Sequence, residues 1–382
     1  MSRYFVPIHD SKTELKGIFA MTTTNPTANS WMIYGVNGYT GRLCAEEAIR
    51  RGLRPVVAGR SAERVARAAG ELGLPHRVFD LNNHAETVAG LRDVTAVLNC
   101  AGPFSATARP CLEACAEAGT HYLDVTGEIA VFEHVHQNGK RWKDAGITAM
   151  PGVGFDVVPT DCMAAMLKEA LPGATHLRLA FKTRKGRLSP GTTKTMIEGM
   201  GGGKSVRRNG ELAHAAMGSV ACEIPYADGP ALSAVIAWGD VSTAYYSTGI
   251  PNIEVYTAVP EHKLRQMRKM NRFAWLLRLP PVQGFLKRQV EKKIKGPSEA
   301  ERAADGTELY GDATDAGGRR VAMTMHTPNG YTLTYLAAVT SVEKVLAGEV
   351  EAGAKTPSQA FGSSFVLGLP GVSHTPPADV LS

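Results

Sequence analysis

Three glycines, at positions 35, 38 and 41 of YGVNGYTGR (Tyr34–Arg42), follow a short apolar run and precede a helical pattern. In that setting Gly35 lets the chain turn off a strand, Gly38 lets backbone approach a pyrophosphate, and Gly41 lets a helix pack closely on a sheet. The amides at the start of that helix then face an anion. The spacing, G-x-x-G-x-x-G, makes Gly35, Asn37, Gly38, Tyr39, Thr40 and Gly41 a candidate dinucleotide cradle. A dinucleotide declares its ribose at the tip of the second strand, where an acidic residue selects NAD. Here that strand ends VVAGRSAER, with Arg60 and Ser61 in place of an acid. A guanidinium with an adjacent hydroxyl and amide suits a 2′-phosphate, so the expected cofactor is NADP (NADPH).

Three carboxylates fall beyond the carboxyl ends of later strands, where open α/β sheets bind their ligands: Asp124, Glu128 and Asp156. One of them donating a proton, or orienting a water, would complete hydride transfer to an activated C=C or C=N bond. The competing reading is that they cap turns or helices, as Asp161 is expected to do at the start of a helix over 159–171. Tyr-x-x-x-Lys, G-x-S-x-G and H-E-x-x-H do not occur. Cys100 resembles a nucleophile in position only, with no base paired to it. The six cysteines lie in apolar segments and are expected to be reduced. Cys111 and Cys115 lack a second Cys or His pair at finger-like spacing, so no metal site is expected.

These groups need a scaffold, and the pattern supplies one. From 31 to 155, short apolar strands alternate with helical stretches about every 20–25 residues, which predicts an α/β Rossmann-type doubly wound parallel sheet. Beyond 156 the rhythm becomes α+β, predicting a second, substrate or dimerisation domain over 156–340. Within it, SAVIAWGDVSTAYYS and IEVYTAV read as strands, and RRVAMTMHTPNGYTLTYLAAV as a β-hairpin turning at Pro328, Asn329 and Gly330. Residues 1–30 read as an extension and 341–382 as a segment folding back on the first domain.

Composition sets bounds on partners. Hydrophobic content of 44% with 20% charged residues is that of a globular protein, and a net charge of +6 is too weak to argue for nucleic acid. Lys12, Glu14 and Lys16 interrupt the N-terminal apolar residues, against a signal peptide. Turn residues divide the uncharged stretches 321–342 and 358–378, against membrane spans. A cytoplasmic location follows as the expectation. Residues 263–295 carry eleven Lys or Arg and one acid, Glu291, among Trp275, Leu276, Leu277, Leu279, Phe285 and Leu286. That is either a peripheral membrane or lipid-substrate patch, or a helix pair with a solvated basic face.

In order along the chain, GVNGYTGR (35–42), AGRS (58–61), LNCAGPF (98–104), YLDVTGE (122–128) and GVGFDVVPTD (152–161) resemble the saccharopine dehydrogenase-like family, in particular its trans-acting enoyl reductase and saccharopine dehydrogenase-like oxidoreductase subgroup. The resemblance implies an NADP domain, a substrate domain and a homodimer. It also implies that Asn99, Ala101, Gly102, Pro103 and Phe104 line the nicotinamide side of the crevice. The glycine loop departs from that of true saccharopine dehydrogenases, and no arginine array for a tricarboxylic amino acid is evident. The leading expectation is an NADPH-dependent reductase of an activated, lipid-like enoyl substrate. An imine-reducing amino-acid dehydrogenase and an NADP-binding peripheral protein without turnover are the alternatives.

Overall fold

The computed structural model describes residues 30–183, 187, 189–193, 205–216, 218–271, 279, 281–285, 289 and 296–380. Its first sheet is wholly parallel. β1 (Trp31–Tyr34), β2 (Val56–Gly59), β3 (His76–Val78), β4 (Ala96–Asn99), β5 (His121–Asp124) and β6 (Thr148–Met150) stand in the order β6-β5-β4-β1-β2-β3. Helices α1 (Tyr39–Arg50), α2 (Ala62–Leu72), α3 (His84–Leu91), α4 (Phe104–Ala118), α5 (Ile129–Gln137) and α6 (Gly139–Asp144) alternate with the strands. The strands are apolar throughout because both faces are covered, and the pleat sorts their side chains. Met32, Val97, Tyr122 and Ala149 face Leu91, Cys111 and Leu112 on one side. Ile33, Leu98, Leu123 and Met150 face Cys44, Ala48 and Ala69 on the other.

The second sheet is ten-stranded and mixed. Its middle is β7 (Ala174–Thr183), flanked by β12 (Asn252–Ala258) and β13 (Gly306–Asp315). β8 (Val206–Arg208), β9 (Glu211–Ala213), β10 (Ala221–Tyr226) and β11 (Gly229–Val235) extend it on the β12 side, and β14 (Arg320–Pro328) pairs with β13. Its inner face packs Leu177, Leu179, Val255 and Leu309 on α7 (Val158–Ala170) and α8 (Asp240–Thr248).

Two segments differ from expectation. The stretch 233–247 is a strand only to Val235; Asp240–Thr248 is helical, although its Val, Thr and Tyr content suits a strand. The expected hairpin at 328–330 is a strand-to-helix junction. Asn329 Oδ1 accepts from the Tyr331 amide at 3.0 Å and caps α11 (Gly330–Leu346), which follows the short helices α9 (Glu261–Met270) and α10 (Glu299–Ala303). Pro-Asn-Gly serves a turn or a helix start equally well, and the 17 residues after it bury Leu333, Leu336, Ala337 and Val345 at helical spacing. α11 packs Ala338, Val339 and Val342 against the first sheet. β15 (Gly353–Ala354) then adds a seventh parallel strand beside β6, whereas β16 (Ser373–His374) and β17 (Ala378–Asp379) pair with β14 in the second sheet.

All six cysteines are free thiols. Among the described residues no helix is long and apolar enough to cross a membrane. Of the basic segment 263–295, residues 272–278, 280, 286–288 and 290–295 lie outside the described residues, and with them Trp275, Leu276, Leu277, Leu286 and Glu291.

Candidate functional site

β1 and β4 are neighbours, yet the chain leaves them toward opposite faces of the sheet, into α1 and α4. A crevice opens at such a switch point. Gly35 turns there with φ +93°, and a Cβ on it would lie 2.8 Å from the Ala101 amide nitrogen. A Cβ on Gly41 would run into the Gly35 carbonyl oxygen. Only glycine fits these two contacts, so the loop and α1 are drawn tight against β4.

The two helix starts flanking the crevice are finished differently. Gly38 caps α1 without a side chain, no acid occupies the first turn, and among the described residues the Tyr39, Thr40 and Gly41 amides meet no acceptor. At α4 the carboxylate of Glu128 takes the Phe104 amide at 2.9 Å and the Ser105 amide at 2.7 Å. The partial positive charge of α4 is thus answered from within the chain, and that of α1 stands open for a ligand anion. The cradle therefore fits a pyrophosphate. Glu128→Ala is expected to cost about 1–2 kcal/mol of stability by urea denaturation, the usual worth of a cap. Turnover should be retained, whereas a proton-donating Glu128 would lose it.

Arg60 follows β2, is exposed, and makes no hydrogen bond or ion pair among the described residues. Arg42, by contrast, is spent on Glu46 at 2.9 Å and Glu71 at 2.5 Å. Ser61 begins α2 without using its hydroxyl as a cap, so Arg60 and Ser61 together offer an uncommitted guanidinium and hydroxyl beside a helix start.

On the other side of the switch point a buried network fixes the loops after β4, β5 and β6. Asn99 Oδ1 accepts from the Ala101 amide at 3.0 Å, and its amide nitrogen reaches Tyr122 Oη at 3.3 Å. Thr107 donates to the Ala101 carbonyl at 2.6 Å. Tyr122 donates to Asp124 Oδ2 at 2.7 Å, while Asp124 Oδ1 takes the Thr126 amide at 3.0 Å and the Gly152 amide at 2.9 Å. Burial pushes the Asp124 carboxyl up to about 7 against these donors. Its oxygens hold the loops after β5 and β6, while Asn99 and Thr107 hold the loop after β4, which carries Gly102, Pro103 and Phe104.

Asp156 is placed otherwise. It lies past β6, only partly buried as a residue, with Oδ2 2.8 Å from where a Gly127 Cβ would sit. Among the described residues no group hydrogen-bonds its carboxyl. Desolvation alone pushes it up to about 7. Asp161, in the first turn of α7, takes the Ser358 amide at 2.8 Å. The structure thus brings Asp124, Glu128 and Asp156 to one end of the sheet, with two of the three engaged by backbone amides. Cys100 shares a hydrogen bond with Cys44, which together with burial pushes its thiol well above the ordinary range, away from a thiolate nucleophile. Among the described residues no group of three or more His, Cys, Asp or Glu is placed to hold a metal ion.

The second domain adds residues that spacing does not single out. Tyr39 Oη donates to the Pro297 carbonyl at 2.5 Å and accepts from Arg302 at 2.9 Å; its ring meets that of Tyr331 edge-on at 5.0 Å. The cradle is tied to the second domain at the first residue of α1. Farther off, Glu133 of α5 accepts from Arg207, from Ser242 at 2.7 Å and from Tyr246 at 3.0 Å. An aromatic row runs beside Asp156: Phe155 to Phe181 at 6.0 Å and Phe181 to Trp238 at 4.6 Å.

Residues 31–150 match the saccharopine dehydrogenase NADP binding domain. A Bos taurus protein named saccharopine dehydrogenase-like oxidoreductase is 27% identical over 202 residues, 46% of this chain and 47% of that one. A putative trans-acting enoyl reductase of Mycobacterium tuberculosis is 32% identical over 189 residues, 46% of this chain and 45% of that one. The chain thus spans about half the length of these curated relatives. Among solved structures, apo saccharopine dehydrogenase (L-Glu forming) from Saccharomyces cerevisiae is similar in fold, with a TM-score of 0.62 at 10% identity over 92% of this chain and 100% of that one. Residues 31–150 are thus similar to the saccharopine dehydrogenase NADP binding domain, and the chain as a whole shares the fold of saccharopine dehydrogenase.

Proposed function

We propose that the protein is an NADPH-dependent reductase of an activated carbon–carbon double bond in an apolar, enoyl-type substrate. The observation that carries this reading is Asp156, a carboxyl with no hydrogen-bond partner among the described residues and a pKa raised to about 7, at the same end of the sheet as the cradle. NADPH supplies the hydride. The open amides of α1 hold the pyrophosphate, Arg60 and Ser61 the 2′-phosphate, and residues 99–104 line the nicotinamide side. Asp156 Oδ2 delivers the proton that accompanies the hydride and is reprotonated from solvent. Half-protonated near neutrality, it is able to give and regain a proton at low cost. The aromatic row of Phe155, Phe181 and Trp238 that starts next to Asp156 supports an acyl chain over an amino acid.

The test is loss of nicotinamide absorbance when the purified full chain meets NADPH and a panel of enoyl thioesters, cyclic imines and aldehydes. Enoyl thioesters should be reduced fastest. Oxidation with imines alone would replace this reading with an amino-acid dehydrogenase. NADPH binding without oxidation of any acceptor would leave a binding protein.

A peripheral membrane contact is a second reading, favoured by Leu279 and Phe285, which are 41% and 62% exposed within the basic segment. Co-sedimentation with anionic vesicles, lost on Phe285→Ser, is its expected result.

A further inference from the structure

The outer face of the second sheet carries a group of charged residues that the cradle and Asp156 do not use. The register places them in two rows. Glu254, Arg178 and Asp312 lie side by side on β12, β7 and β13. Asn252, His176, Thr314 and Arg320 form the next row, continued onto β14. Leu177, Leu179 and Ala313 alternate with them and face inward, so these rows point away from α7 and the first domain. Together with Arg208 they line a cavity of about 450 Å³.

Alternating charge across strands is ordinary sheet pairing, and here it accounts for part of the arrangement. Asp312, 3% exposed, accepts Arg178 Nη2 at 2.7 Å and Arg320 Nη2 at 2.8 Å; Arg208 pairs with Glu254. Three guanidiniums against two carboxylates leave one positive charge in excess. Each guanidinium also has five N–H donors, more than the carboxylates use. Arg320 Nε is buried and has no partner among the described residues. That nitrogen is closed to solvent; an oxyanion in the cavity would be taken by the donors that the partly exposed Arg178 and Arg320 guanidiniums leave unused. Asp312 and Tyr310, which accepts from Arg320 at 2.8 Å, hold the fork in one orientation without filling it.

The site is remote from the cofactor. The cradle meets the second domain at Tyr331, just past Pro328, which pairs with Gly306 next to Thr307 and Thr183. His176 lies seven residues back along β7 from Thr183, about 23 Å of strand.

We propose that this cavity binds a small carboxylate- or phosphate-bearing anion, separate from both cofactor and reducible substrate. The test is calorimetric titration of the NADPH-loaded full chain, whose cradle is already filled, with citrate and with inorganic phosphate. Saturable binding of either at one site per chain is expected, and the preferred anion distinguishes the carboxylate from the phosphoryl source. Arg320→Lys, which retains a cation beside Asp312 but loses the fork, should weaken that binding about tenfold or more. Arg208→Gln, at the rim, should weaken it less, and both variants should bind NADPH as the parent does. Absence of saturable binding of both anions, or undiminished binding in Arg320→Lys, would overturn the proposal. So would a change of oligomeric state in Arg320→Lys with anion binding intact, which would make this face a protein interface.

Discussion

Asp156→Asn is expected to lower kcat by about 100-fold or more, the usual worth of a positioned general acid, while leaving the NADPH dissociation constant where it was. The amide is nearly isosteric and carries no transferable proton, so the pH dependence separates chemistry from packing. The parent kcat should fall as pH rises through about 7, where Asp156 loses its proton. The variant should be flat at its low level across that range. Stability gives a second readout with a definite sign. The folded chain holds this proton more tightly than the unfolded chain, so the stabilisation is complete below 3.8 and is lost as pH rises toward about 7. Asparagine has no charge to desolvate. The variant should match the parent's melting temperature near pH 4 and exceed it near pH 8. A variant with parental kcat would remove Asp156 from the chemistry, whatever its effect on melting.

Arg60→Ala is expected to raise the NADPH dissociation constant by about 10- to 100-fold, the range set by losing a charge-assisted contact of ~1.5–3 kcal/mol. NADH, which lacks the 2′-phosphate, should bind the variant and the parent alike. The contrast arises because Arg60 has no acid to release: among the described residues it bonds to nothing, so its removal leaves no orphaned partner. Titration of nicotinamide fluorescence with both cofactors decides it. Equal loss for NADPH and NADH would move the 2′-phosphate elsewhere.

The strand, glycine turn and helix start of the candidate cradle were legible in sequence because they are local: they lie within about a dozen residues, and spacing alone encodes them. The parallel sheet was legible for a similar reason, since buried strands show as short apolar runs. Roles that depend on what lies across the crevice were not. Glu128 and Asp156 look alike in sequence, yet the first meets the amides of α4 from 23 and 24 residues away and the second has no hydrogen-bond partner among the described residues. The partners of Tyr39 lie 258 and 263 residues along the chain. The helix after Pro328 was hidden by a tripeptide that suits two conformations, and the arginines of the outer sheet face converge only through strand register.

The path of α11 bears on how proteins of this kind can be cut and recombined. Homology marks off residues 31–150 as a unit, but one wall of that unit is built by Ala338, Val339, Val342 and Val345, nearly two hundred residues downstream. Excised alone, the homologous segment would expose the faces of Leu98 and Leu123 that α11 covers. Its inheritance is therefore bound to that of a distant helix, and a chimera that exchanges cofactor domains between relatives must carry both pieces or neither.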